Sequence, residues 1–389
     1  MTDPSNTRKI VEDLNAGWYN VISGAMGLDP TTFQLAQGTL GLQTSDSSGL
    51  FLMADAVPPP SSVGYYDAGG TSKRSSAYGL LLNALQPEGS ATLRTELGNM
   101  YAKWVTYKTN YDFKPGDTQE SVFDTWANQY LNPGQAAKAI TVYKQVANNQ
   151  LIKALDAYNS KSAQQQFMDA ADNPYSLYKY SGSSDVALAA LKDVNTPINF
   201  DSKTMDTKLK HTTVEGSASG FWDIFSGGAS GSFDQLNTKA ASSQITISGE
   251  INQFGTMTTN PVEWFNSGEY MRAYNGKDNN EIWSTEANVG NWDSFFAQPK
   301  GSLARKVSQL FLIGQYSLTV TSHASYSQED YKKITAKASG GIWPFFSASV
   351  STTHTTDYKL NSDSTLSVTH SLPRGQIQVW GVTVVDAPG

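Results

Sequence analysis

The sequence predicts an α+β protein: a helical N-terminal half followed by a β-rich C-terminal half that contains a duplicated antiparallel strand-turn-strand unit. Three observations carry this. Apolar residues recur at three- and four-residue spacing through the first half. Beyond Asn195-Thr196-Pro197 the period falls towards two. Within that second part, a stretch of sequence returns at an offset of 121 residues. The expected division is a helical domain over 1–195 and a β-rich domain over 196–389. Within the latter, repeat units lie near 196–260 and 314–387, with a partly helical insert over 261–313.

The helices follow in order. Ile10, Val11, Leu14, Trp18, Val21 and Ile22 form one face, and Gly24 stops it. Asp29-Pro30 offers an N-cap and a first-turn proline for a short helix through Phe33 and Leu35. Pro58-Pro59-Pro60 imposes extended geometry before Gly69-Gly70, which reads as a rigid connector or an exposed recognition loop. A helix over Ser76 to Leu85 ends before Pro87, and Leu93, Leu97, Tyr101 and Trp104 make one face of the next. Asp117 and Glu120 match a capping box for the helix carrying Val122, Phe123, Trp126 and Tyr130. The longest helix is expected over Gln135 to Tyr158, and a weaker one over Asp185 to Leu191. Helical stretches are expected around Trp264 to Tyr274 and Leu303 to Ile313 in the insert. The aromatic stripes are read as core packing between helices, with the lining of a ligand pocket as the less common alternative.

The repeat matches Gly220-Phe221-Trp222-Asp223-Ile224-Phe225-Ser226 to Gly341-Ile342-Trp343-Pro344-Phe345-Phe346-Ser347. At the same offset Ser243 falls on Ser364, Ile245 on Leu366, Ile247 on Val368 and Ile251 on Leu372. Alternation supports the match. Val350, Thr352, His354, Thr356 and Tyr358 share one face of an extended chain, and Ser349, Ser351, Thr353, Thr355 and Asp357 share the other. Leu366, Val368, His370 and Leu372 again alternate with Ser or Thr after a turn near Asn361-Ser362-Asp363. One apolar face and one hydroxyl face suit a half-buried antiparallel sheet.

Each unit opens on an aromatic cluster: Phe221, Trp222 and Phe225 in the first, Trp343, Phe345 and Phe346 in the second. These six are the candidate contacts with a membrane or a partner. They read either as an exposed tip or as a plug that caps the sheet's own core.

Composition narrows the function. Net charge is −7 with no basic run, which argues against a nucleic-acid partner. The absence of cysteine removes disulfides, thiolate metal sites and cysteine nucleophiles. Charged residues make up 16% of the chain, against a usual figure of about 25%, and small polar residues fill the gap. No phosphate loop, nucleophile elbow or zinc-protease helix is present, so no catalytic residue and no cofactor is assigned. His354 and His370 share a strand face but lack a third ligand at diagnostic spacing, so no metal is assigned. Asp278, Glu281 and Glu286 near Trp283 carry the weaker alternative of a hydrolase. No secretory signal is visible, and the chain is expected as a soluble product of the cytoplasm, with later release left open.

The leading expectation is a non-enzymatic, membrane-active protein, pore-former-like, acting through amphipathic β-hairpins and aromatic clusters, as a homo-oligomer. The alternative is a self-assembling structural or binding protein with no membrane step. A hydrolase ranks third.

Overall fold

The computed structural model describes residues 4–42, 46–59, 72–114, 116–147, 149–169, 171–206, 236, 239–240, 242–284, 290–337 and 355–388. Its class is α+β, with helices mostly in the N-terminal half and an antiparallel sheet in the C-terminal half.

Helix α1 (Pro4–Ala25) leads into strand β1 (Phe33–Leu42). The short helix expected from Asp29 does not form. Asp29 Oδ1 instead accepts from the Thr31 N–H at 2.9 Å in a turn, and Phe33 enters the ladder opposite Thr383. Thr31, Thr32 and Phe33 favour extended backbone, and a strand partner outweighs the cap signal.

A helical layer follows: α2 (Ser48–Asp55), α3 (Arg74–Ala84), α4 (Ser90–Leu97), α5 (Met100–Asn110), α6 (Gln119–Tyr130), α7 (Pro133–Ala147) and α8 (Gln150–Asn159). Two expected helices are each divided. Gly98, at φ +52°, separates α4 from α5. Asn149 separates α7 from α8 by accepting the Leu151 N–H at 2.8 Å. The cap of α6 is displaced by one residue. Thr118 and Ser121 form the reciprocal pair, while Asp117 accepts from the Lys114 N–H and the Tyr111 hydroxyl. The anticipated stripes pack together: Phe123 stacks on Tyr143 at 4.0 Å and meets Trp104 edge-on at 4.8 Å. A small hairpin, β2 (Gln164–Met168) and β3 (Pro174–Tyr178), and helix α9 (Ser184–Ala190) complete this region. The hairpin was not expected, because Gln164-Gln165-Gln166 shows no apolar alternation.

The main sheet contains β4 (Lys192–Asp201), β5 (Ile245–Thr258), β6 (Arg305–Ile313), β7 (Tyr316–Ser322), β8 (Thr355–Leu360), β9 (Leu366–Leu372) and β10 (Ile377–Asp386), with β1 beside β10. Between β5 and β6 lie α10 (Ser267–Asn275) and α11 (Trp292–Phe296), and α12 (Gln328–Lys337) follows β7. The stretch Leu303 to Ile313, expected as helix, is strand from Arg305 onward. Leu310 to Ile313 are all buried, and a continuous apolar run between two covered faces has no period to distinguish strand from helix.

Strands β6 and β7 run as one line along β5. Phe254 pairs with Ile313 and Thr258 with Gln309, while Ile251 pairs with Tyr316 and Ile245 with Ser322. The line is interrupted at Gly314-Gln315, where the Asn252 and Gln253 N–H groups both donate to the Gln315 carbonyl. The sheet thus has two halves. In the lower half, Leu310, Leu312, Val379 and Val382 face the helical layer, while Phe311, Ile313 and Trp380, with Phe33 and Leu35 of β1, face α1. In the upper half, β4, β5, β7, β9 and β8 lie side by side. Sequence from before residue 195 therefore supplies both a strand of the sheet and one of its covers.

Candidate functional site

In the upper half, the repeat becomes geometry. Ile245 pairs with Ser322, which pairs with Leu366; Ile247 pairs with Val320, which pairs with Val368; Ile251 pairs with Tyr316, which pairs with Leu372. Residues related by the 121-residue offset thus sit at the same height in the sheet, on β5 and β9 with β7 between them. Their shared face is apolar and buried: Ile198, Ile245, Ile251, Leu318 and Leu366 are each at most 1% exposed. Leu14, Trp18 and Ile22 of α1 cover the β4–β5–β7 part of it, and Leu236, Ala240, Tyr326 and Ile334 cover Leu366 and Val368.

The opposite face carries hydroxyls. Ser317 and Ser371 are 3.1 Å apart, Thr319 and Thr369 2.8 Å, and Thr321 and Ser367 2.9 Å, each pair joined across β7 and β9. Thr246 and Ser248 continue the rows on β5, opposite Asp201 and Asn199 of β4. These side chains are half-buried or exposed. Cross-strand hydroxyl pairs satisfy one another and hold the register without charge.

Two long connections leave one end of this half. Residues 202–244 join β4 to β5, and residues 323–365, equal in length, join β7 to β9 through α12 and β8. At that end a belt of hydrogen bonds ties the ends of β4, β5 and β7 together. The Gln244 amide donates to both carboxylate oxygens of Asp201 at 3.0 Å. The Ile245 N–H donates to Ser202 Oγ at 2.9 Å, and Ser202 N–H donates back to the Ile245 carbonyl. The His323 N–H donates to the Gln244 carbonyl at 2.9 Å, and its Nε2 lies 3.1 Å from Thr246 Oγ1. Ser243 and Ser322 hydroxyls meet at 2.9 Å, and Ser322 reaches the Tyr326 hydroxyl at 2.9 Å. Hydrogen bonds from the Lys203 N–H and Gln244 hold the Asp201 carboxyl below the usual range.

The two connections also touch one another. Lys239 of the first pairs with Asp330 of the second at 3.2 Å, and its ammonium lies 4.9 Å from the Tyr326 ring centre. The Ser327 N–H and then Lys239 lower the Asp330 carboxyl, and burial pushes the Tyr326 hydroxyl up to about 12. In the turn before β9, Asp363 accepts from the Thr365 N–H and hydroxyl and is lowered by both.

Phe221, Trp222, Phe225, Trp343, Phe345 and Phe346 lie outside the described residues, as do His354 and Glu286. His370 is 1% exposed on the apolar face of β9, its Nδ1 3.4 Å from Thr356 Oγ1. Among the described residues no group of three potential metal ligands comes together. Trp283 is used in packing: it stacks near Phe295 and donates to the Gly276 carbonyl at 2.8 Å, with Glu281 on an exposed turn beside it. Among the described residues no helix is long and apolar enough to cross a membrane.

The alternation of β9 and of β5 was visible in the sequence. The belt was not: Asp201, Gln244 and His323 are far apart in the chain and carry no local pattern. Neither was β7, although Tyr316, Leu318 and Val320 alternate with Ser317, Thr319 and Thr321.

No family model matches this chain, and neither the curated proteins nor the solved structures contain a match.

Proposed function

We propose that this protein is a non-enzymatic, membrane-active, pore-former-like protein in which residues 202–244 and 323–365 lengthen the upper sheet into two amphipathic hairpins. One observation carries the reading: two connections of equal length leave the same end of an antiparallel set of strands, of which β5, β7 and β9 alternate apolar and small hydroxyl side chains. A membrane strand needs about 9–11 alternating residues, and each connection is long enough for two. In a closed barrel of such strands the apolar row faces lipid and the hydroxyl row faces water. Uncharged Ser and Thr fit that inner surface. The aromatic clusters centred on Trp222 and Trp343 fit the membrane interface, where amphipathic rings collect.

A second reading, self-assembly without a membrane step, is favoured by the sheet's edges. Among the described residues β4 pairs with β5 alone and β8 with β9 alone, which leaves strand edges of the kind another copy pairs with. Dye leakage from liposomes, with light scattering on the same sample, separates the two. Leakage with oligomers that form only on lipid supports the membrane reading. Large assemblies without lipid, and no leakage, support the second. Trp343→Ala is expected to cut vesicle binding while leaving the thermal midpoint nearly unchanged. If the cluster is an internal plug, the same change costs roughly 3–5 kcal/mol of stability instead.

A further inference from the structure

Helix α1 does more than cover the sheet. Its apolar face lies on β4, β5 and β7, with Trp18 6.4 Å from Phe200 and 6.3 Å from Trp380, ring to ring. Its next turn reaches the foot of the first connection. Asn20 Nδ2 donates to the Asp206 carbonyl at 2.6 Å. At Gly17 the helix meets Met205 so closely that a Cβ there would lie 2.6 Å from Met205 Sδ and 3.0 Å from Phe200 Cε2. The lack of a side chain at Gly17 is what allows that approach. Residues 202–206 are thus held from two sides, by the belt at Asp201 and Ser202 and by α1 at Met205 and Asp206.

We infer that α1 is an autoinhibitory strap: it pins the foot of residues 202–244 against the sheet, and it must leave before that connection can extend β4 and β5. The physical argument is steric and directional. An extended continuation of β4 takes its backbone past Asp201 along the strand axis, whereas the turn at Ser202–Thr204 and the Asn20–Asp206 bond fold it back over α1. Departure of α1 also uncovers Ile198, Phe200, Ile245, Ile247, Leu318 and Val320, the face that the membrane reading turns towards lipid. The strap therefore couples release of the connection to exposure of the apolar row. The extension of β4 and β5 rests on the membrane reading; the contacts that hold residues 202–206 stand without it.

Two measurements on the full chain test it. The first is hydrogen exchange in solution. Asn20→Ala is expected to raise exchange of the 202–206 amides at least tenfold, with those of α6 and α7 unchanged. No local rise, or a rise spread evenly over the protein, overturns the strap. The second exploits the absence of cysteine. In Gly17→Cys/Met205→Cys the two Cβ positions are 3.0 Å apart, and small shifts of Met205, beyond the 202–204 turn, and of the Phe200 ring bring them to the roughly 3.5–4.5 Å of a disulfide. Oxidised, this variant is expected to leak dye at least tenfold more slowly than after reduction. Equal rates in the two states overturn the strap. A wild-type protein that never causes leakage sinks the membrane reading instead, and the exchange measurement still decides the strap.

Discussion

The two halves of the sheet share strands but differ in what covers them. Below the Gly314-Gln315 interruption both faces are dry, closed by the helical layer on one side and by α1 on the other. Above it one face is dry and the other is a half-exposed lattice of Ser and Thr. The lower half is therefore built like a domain core, where burial sets the stability. The upper half obtains its register from hydroxyl pairs and its stability from one face only. Such a half separates from its covers at a smaller cost, because less apolar surface returns to water on each strand. The covers belong to elements that join or flank the two long connections, so the region with the weaker hold is also the one placed to rearrange.

The largest expected effect is in the lower half. Phe311 is 1% exposed and packs on Phe33 and Phe254, so Phe311→Ala is expected to cost about 3–5 kcal/mol in urea unfolding. A loss below about 1 kcal/mol would mean that burial does not set the stability of the lower half. In the upper half Ile245→Ala and Leu366→Ala are each expected to cost about 2–4 kcal/mol, being fully buried on the apolar face. Their neighbours on the other face, Thr319→Ala and Thr369→Ala, are expected to stay within about 0.5 kcal/mol. Equal costs on both faces would mean that the strand parity is wrong.

Titration sharpens the same comparison, because the two regions respond in opposite pH windows. Lys108 is 8% exposed in the helical layer, and burial pulls its ammonium down to about 8. A lysine whose folded value is lowered loses its proton earlier in the folded state. Stability thus rises as pH climbs from about 8 towards the unfolded lysine value of about 10.4. Lys108→Met, which removes the charge, is expected to stabilise by on the order of 2 kcal/mol at pH 7 and to abolish that rise. At the sheet's upper end the carboxyls of Asp201, Asp330 and Asp363 are all lowered by hydrogen bonds. Their contribution is present above the unfolded carboxylate value of about 4 and is lost as pH falls through their folded values. Asp363 is exposed and Asp201 and Asp330 are half-buried beside solvent, so the effect is small. It is expected as faster exchange of the 202–206 and 323–327 amides in acid, with the helical layer unmoved. A uniform acid response over both regions would contradict the division.

Local patterning explains which of these features were legible. Helix faces such as Leu93, Leu97, Tyr101 and Trp104 were readable because core packing imposes their spacing, though Gly98 and Asn149 broke two of the helices where only backbone geometry decides. The rows Ile245–Ile247 and Leu366–Val368 were readable because one dry face forces a period of two. Leu310 to Ile313 hid its strand because both faces are dry and no period survives. Phe33 hid its strand because the cap signal at Asp29 is local and the β10 partner is not. Of the candidate site, the sequence disclosed the repeat; the aromatic clusters it marked lie outside the described residues. The belt of Asp201, Gln244, Thr246 and His323 and the strap contact of Asn20 with Asp206 depend on residues brought together from across the chain, so no local signal marks them.

On the membrane reading, residues 323–365 lengthen the sheet with the same alternation found in β9. A single-cysteine scan over Ser349 to His354, labelled with an environment-sensitive dye, tests it in a chain with no other thiol. On addition of vesicles, emission is expected to rise at 350, 352 and 354 and to stay at its aqueous level at 349, 351 and 353, because successive residues of a membrane strand face lipid and water in turn. Emission that changes equally at all six positions, or at none, would contradict the account.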